Sequence, residues 1–269
     1  MEPQKRTDQD MEEKKIVITW YGTASIRITA GESQVLVDPF FPLADSTIEV
    51  AKDAYDGCND ILISHGHFDH IGSIKDIVRP ETKVYCTKTP YENLGKMGVS
   101  EKNLKLIEPG MVLTFGDLKI TVFKGNHVKL SLWDGLKAIF NRYVWHHRKG
   151  VIRKIRKFTS CREMKESVCY LVEVYGKQII VLGSLAVAEG VTYPLNTDLV
   201  TFPYQGAMKV LDFAKDLYEK LKPKTVLLTH YDDTFPPFSK DTDTSEFEDY
   251  LKELGVPYLK PVQGSSIEL

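Results

Sequence analysis

Ile61-Leu62-Ile63-Ser64-His65-Gly66-His67-Phe68-Asp69-His70-Ile71-Gly72 is the stretch from which the rest of the chain can be read. Its first three residues form a short apolar run of the buried-strand type. Four side chains able to bind a metal ion then follow within six residues. Imidazole suits zinc, iron and related ions, and a carboxylate extends the set to harder metals. In an extended loop, residues two apart point the same way, so His65 and His67 can converge on one ion. Asp69 and His70 point elsewhere and could hold a second ion beside the first. A surface loop rich in histidine by chance is the bland alternative. Residue type, spacing and the preceding strand together argue against it.

Upstream of this stretch the pattern is β-like. Ile16, Val17, Ile18 and Trp20 read as a strand, Ser25 to Thr29 as a second and Gln34 to Val37 as a third. Gly31-Glu32 is a hairpin turn between the last two, and Asp38-Pro39 ends the third. Downstream, Val84 and Tyr85 lie on a strand, and Leu118 to Phe123 form another that leads into Gly125-Asn126-His127. Val168 to Val174 and Gln178 to Leu182 are strands joined at Tyr175-Gly176. Leu199 to Phe202 and Thr225 to Leu228 follow, the latter running into His230. Val210, Phe213, Ala214, Leu217 and Leu221 sit at helical spacing. The whole predicts a sheet-rich α/β core.

One segment breaks this style. From Asp134 to Phe158, Leu136, Ile139, Phe140, Tyr143, Val144, Val151 and Ile155 recur at helical spacing against a strongly basic opposite face. It reads as a helical insertion at about residues 130–165 between two halves of the core. Residues 1–14 are charged and read as a disordered tail, which leaves 15–269 as one domain.

Composition narrows the class. The 269 residues carry 35 basic and 37 acidic side chains, so net charge points neither toward nor away from nucleic acid. The four cysteines, Cys58, Cys86, Cys161 and Cys169, include no C-x-x-C pair; they are read as buried or inert thiols. No apolar run is long enough to span a bilayer, and the first residues lack the apolar stretch of a signal peptide. A cytoplasmic location is the resulting expectation.

The H-x-H-x-D-H string at 65–70 resembles the metallo-β-lactamase-fold hydrolase superfamily. Ile18-Thr19-Trp20-Tyr21-Gly22-Thr23-Ala24-Ser25 and Val35-Leu36-Val37-Asp38-Pro39-Phe40-Phe41 are similar to the opening of its lactonase-like and phospholipase D-like branch. Leu228-Thr229-His230-Tyr231 before Asp233-Thr234-Phe235-Pro236 is similar to that branch's C-terminal ligand segment. The resemblance runs from Lys15 to Pro237, the basic insertion excepted. It implies a four-layer αββα sandwich with the metal site at one edge of two sheets. It also implies that His65, His67 and His127 bind a first ion and Asp69, His70 and His230 a second. Zn2+ is the first choice of ion, with Mn2+ or Fe2+ as alternatives. Asp38 would accept an imidazole N–H and so fix a ligand's orientation; a plain strand-ending Asp-Pro turn is the equal alternative.

The chain departs from the family at one place. A Gly-Asp pair usually ends a late strand there and its carboxylate bridges both ions; this sequence has Gly183-Ser184. A neutral hydroxyl is a poorer ligand for a divalent ion. Two expectations follow: a site that still holds two ions, with bridging water or hydroxide in place of the carboxylate, or one firm ion and a second that is labile. Glu189 could compensate from a loop, whereas Asp198 starts the next strand.

The implied function is metal-dependent hydrolysis of a phosphate-bearing ester, a phosphodiester or a lactone by metal-activated water. Asp69 would orient that water or accept its proton, and His230 or water would protonate the leaving group. Tyr204, Tyr231 and Arg148 are candidate contacts to substrate, although buried structural tyrosines are the commoner case. Between Arg142 and Lys165 stand nine Arg or Lys and one Glu. A solvated helix face is the plain reading of that run. It could instead recognise phosphate on a small-molecule or lipid substrate. It could also make a peripheral contact with anionic membrane through Trp133, Phe140 and Trp145. One basic helix is too narrow a surface for a nucleic-acid clamp. The competing class is a degenerate metal-binding or interaction protein that lost catalysis with the bridging aspartate. Retention of all six ligands argues against it.

Overall fold

The computed structural model describes residues 14–43, 46, 48–128, 161, 165–205, 209–234, 236 and 241–269. The tail expected at 1–14 lies outside these but for Lys14. The insertion expected at about 130–165, Arg148 included, lies outside them but for Cys161 and Lys165.

The first half opens with a meander. Strands β1 (Ile16–Gly22), β2 (Ser25–Ala30) and β3 (Ser33–Val37) pair antiparallel. Along β1 every second side chain is buried, as alternating apolar residues require of a strand with one face inward. Then β4 (Asp60–Leu62), β5 (Lys83–Cys86) and β6 (Leu104–Leu106) add on in parallel. Two short helices, α1 (Phe68–Ile71) and α2 (Ile74–Ile77), follow β4, and α3 (Lys88–Lys96) follows β5.

The second sheet starts with the hairpin β7 (Val112–Phe115) and β8 (Leu118–Lys124), continues with β9 (Val168–Val174) and β10 (Lys177–Val181), and ends in the parallel β11 (Leu199–Pro203), β12 (Val226–Thr229) and β13 (Tyr258–Leu259). Helix α4 (Val210–Leu221) connects β11 to β12, and α5 (Ser245–Glu253) connects β12 to β13. The last strand, β14 (Ser266–Glu268), returns to the first sheet beside β1. Each sheet has seven strands, ordered β14-β1-β2-β3-β4-β5-β6 and β13-β12-β11-β10-β9-β8-β7.

Three apolar clusters fix the layers. Ile18, Trp20 and Ile28 of one sheet meet Ile120, Tyr170, Val172 and Val181 of the other between the sheets. On the outer face of the second sheet, Ile180, Val200 and Phe202 pack under Leu217 of α4 and Phe247 and Leu251 of α5. On the outer face of the first, Leu36 and Ile61 pack under Phe68, Ile71, Ile74 and Leu94. All five residues of β11 and all four of β12 are buried, as expected of strands covered on both faces. This is the αββα sandwich. No helix among the described residues is long and apolar enough to cross a membrane.

Candidate metal centre

The ends of β4, β8 and β12 deliver the chemistry to one edge of the sandwich. His67, the residue before α1, is extended (φ −72°, ψ 157°), and the chain then turns helical. That change separates the histidine pair from Asp69 and His70, which sit on the single turn of α1. His127 follows β8, and His230 follows β12 in a left-handed conformation (φ 59°).

Two triads result. The donor atoms of His65, His67 and His127 lie within 4.8 Å of one another, and so do those of Asp69, His70 and His230. The two groups adjoin: the rings of His65 and His70 are 3.9 Å apart, centre to centre. Nε2 of His65 is 3.1 Å from Nδ1 of His67. The Asp69 Oδ2 lies 3.0 Å from His230 Nε2 and 3.4 Å from His70 Nε2.

The other face of these rings is held by the protein. Asp38 is wholly buried. Its Oδ1 accepts the Ser64 N–H at 2.7 Å, and its Oδ2 accepts the Ser64 hydroxyl at 2.5 Å. His70 Nδ1 also donates to Oδ2, at 2.8 Å. With its own hydrogen on Asp38, the Ser64 hydroxyl accepts from His65 Nδ1 at 2.9 Å. Likewise, His127 Nδ1 donates to the Val128 carbonyl at 2.9 Å. In all three rings the Nδ1 bond leaves Nε2 as the outward lone pair, the arrangement that orients metal-binding imidazoles.

A domain family described as the β-lactamase superfamily domain matches residues 17–230. The chain belongs to the β-lactamase superfamily. Among curated relatives of this superfamily chain is a metal-dependent hydrolase of Koribacter versatilis, 26% identical over 93% of this chain and 98% of its own. Another, from Methanocaldococcus jannaschii, is 25% identical over 94% of this chain and 100% of its own. A solved metallo-hydrolase of Ignicoccus hospitalis shares the fold, with a TM-score of 0.63 and 16% identity over 95% and 98% of the two chains. The protein is accordingly a metal-dependent hydrolase on the metallo-β-lactamase fold.

Electrostatics inside this superfamily site are those of a coupled buried group. Burial disfavours a charged His70, but the carboxylates of Asp38 and Asp69 flank it and lift its pKa from 6.5 to about 10. Burial likewise disfavours an ionised Asp69, yet His70 and His230 hold it well below 3.8. His65 is pushed well below 6.5 by burial and by the neighbouring rings of His70, His127 and His67. A raised histidine stabilises the fold below pH 6.5 and ceases to as pH climbs toward 10; a depressed carboxyl stabilises above pH 3.8 and ceases to as pH falls. Because the depressed His65 also costs stability as pH falls below 6.5, the chelator-stripped protein is expected to melt highest near pH 6.5. A melting temperature that rose steadily from about pH 7 to 9 in that form would contradict the assignment.

Several expected site residues stand elsewhere. Ser184 belongs to neither triad; its hydroxyl accepts the Val128 N–H at 3.2 Å and so ties down the segment after His127. Glu189 is exposed and outside both triads. Asp198 faces Lys224 at 3.0 Å and the Gln178 N–H at 2.9 Å. The two tyrosines read as candidate substrate contacts are engaged within the fold. Tyr204 is buried in the outer cluster and stacked on Phe247, with ring centres 5.5 Å apart. Tyr231 packs on Trp20 and donates its hydroxyl to the Pro261 carbonyl. Both are held by packing.

Other supports have no signal in the motif. Across the sandwich, the Tyr170 hydroxyl donates to the Ile63 carbonyl at 2.6 Å, and the Val168 N–H to the Ser64 carbonyl at 2.8 Å. Gly183 leaves room for the Ser64 hydroxyl: a Cβ at Gly183 would lie 2.0 Å from Ser64 Oγ and 3.2 Å from His65 Nδ1. Gly183→Ala is expected to cost about 1–3 kcal/mol of stability through overpacking and to lower zinc retention by displacing His65. Denaturant melts and zinc counting check this; a variant matching wild type in both would mean that Ser64 can move without consequence.

Proposed function

We propose that the protein hydrolyses a phosphate-bearing ester, a phosphodiester or a lactone, using water activated by divalent ions held in the two triads. The observation that supports this reading is the pair of adjoining triads, five imidazoles and one carboxylate, whose outward atoms converge. Such a nitrogen-rich set suits zinc first, with manganese or iron(II) as alternatives. A bound divalent ion supplies a Lewis acid for the substrate oxygen and makes coordinated water acidic near neutral pH.

The chain's own residues supply the rest. Asp38 and Ser64 hold His70 and His65 so that neither ring turns when substrate arrives. Asp69, ionised between His70 and His230, orients the attacking water and accepts its proton. That proton then passes from Asp69 to the leaving oxygen. His230 would serve as donor only where its Nε2, 3.0 Å from Asp69 Oδ2, holds no ion. Recognition of phosphate is assigned to the basic run from Arg142 to Lys165, Arg148 included, by charge alone. The same run supports peripheral contact with an anionic lipid surface. All four cysteines are buried free thiols, in keeping with action in the reducing cytoplasm.

The test is turnover of bis(p-nitrophenyl) phosphate and of simple lactones with added zinc or manganese. Phosphodiester turnover alone would narrow the substrate to phosphoryl compounds, and lactone turnover alone would remove the phosphate clause. A second reading, a metal-binding protein with little catalysis, draws on one observation: the Ser184 hydroxyl is engaged by the Val128 amide. Zinc uptake without turnover of any substrate would favour it.

A further inference from the structure

One buried carboxylate near the centre takes no part in the chemistry above. Asp232 is 3% exposed and lies two residues beyond His230. Both of its oxygens accept the same Thr23 N–H, at 3.0 and 2.9 Å. The Thr23 carbonyl in turn accepts the His230 N–H at 2.9 Å and the Trp20 indole N–H at 2.8 Å. Thr23 and His230 are both left-handed, with φ of 46° and 59°. Side-chain-bearing residues enter that region only when their surroundings hold them there. Gln205 secures the other end of the clamp, its Nε2 donating to the Asp232 carbonyl at 3.0 Å. Beside it the chain has a glycine: a Cβ at Gly22 would come within 2.9 Å of Asp232 Oδ2.

A carboxylate removed from water is costly unless it is paired and hydrogen-bonded. Here they join the β1–β2 turn of one sheet to the end of β12 in the other. We propose that Asp232 is the positioning residue of His230. Through Thr23 it locks the left-handed turn that aims the His230 imidazole at Asp69, and it thereby completes the second triad. The inference rests on the reading of the triads as ion sites. Asp232 acts through the hydrogen bond and touches neither substrate nor ion.

The experiment uses zinc ion alone on the full chain. Stripped protein is refilled, zinc is counted per chain, and chelator competition gives a dissociation constant for each site. Asp232→Ala is expected to weaken one site about 10–100-fold and to leave the other within about threefold of wild type. Asp232→Asn keeps an oxygen for the Thr23 N–H and is expected to hold both sites within about threefold. An alanine variant with both constants unchanged, or with both weakened equally, would overturn the proposal. So would an asparagine variant as weak as the alanine one, since charge and not the hydrogen bond would then be responsible. If the alanine variant does not fold, Asp232→Leu, close to aspartate in volume but without an acceptor for the Thr23 N–H, takes its place with the same expected and overturning outcomes. A wild type that takes up no zinc would overturn the metal reading and this inference with it; two sites in wild type and an indifferent Asp232→Ala would overturn this inference alone.

Discussion

Asp69→Asn is expected to lower kcat about 10²–10⁴-fold on whichever substrate the protein turns over, the range for losing a positioned proton acceptor. The change keeps shape and an oxygen 3.0 Å from His230 but removes the charge that His70 and His230 stabilise. Asp69 faces both histidines of its triad, so a drop in zinc retention is expected alongside. A variant with kcat within about threefold of wild type would remove Asp69 from the chemistry.

Removing metal is expected to abolish turnover and also to destabilise the fold. Each ion present at about a thousand times its dissociation constant contributes about 4 kcal/mol to the native state. Two such ions would rival the whole stability of an ordinary domain, about 5–15 kcal/mol. The chelated protein should therefore melt at least about 10 °C lower than the zinc-saturated one. Calorimetry with and without excess zinc measures this directly. The physical cause is local: Asp38, Asp69, His65 and His70 are all buried, so without an ion the carboxylates have only the neighbouring imidazoles to offset them. Coincident melting curves would contradict an ion site built into the fold.

Much of the architecture was legible because burial wrote it into the apolar pattern. Alternation exposed β1 to β3, and predominantly apolar runs exposed β9, β11 and β12. The edge strands β6 and β7 escaped notice for the converse reason: β6 buries one residue and β7 none, its alternation running only between exposed and half-buried positions. Helix α5 escaped because Phe247 and Leu251 are its only buried side chains, set among Glu246, Glu248, Asp249, Lys252 and Glu253. At the site, the H-x-H-x-D-H string announced its four donors by proximity. The hydroxyl that braces them was adjacent in sequence but silent, because its meaning depends on Asp38, 26 residues earlier, and on the space left at Gly183. Ser184 could be read only as a substitution; that it secures the His127 segment depends on a loop folding back. For Tyr204 and Tyr231 the sequence left substrate contact and structural burial both open, because position beside a motif says nothing about which way a ring faces.

The left-handed turn at His230 has a consequence for biogenesis. His230 meets Asp69 across 161 positions of sequence, and its partner Thr23 lies near the very start of the fold. A nascent chain therefore exposes the first four donors long before the last one leaves the ribosome. The first triad has its three donors by His127, but the second is complete only once β12 has taken its place, so an ion held there is in that sense a certificate of completed assembly.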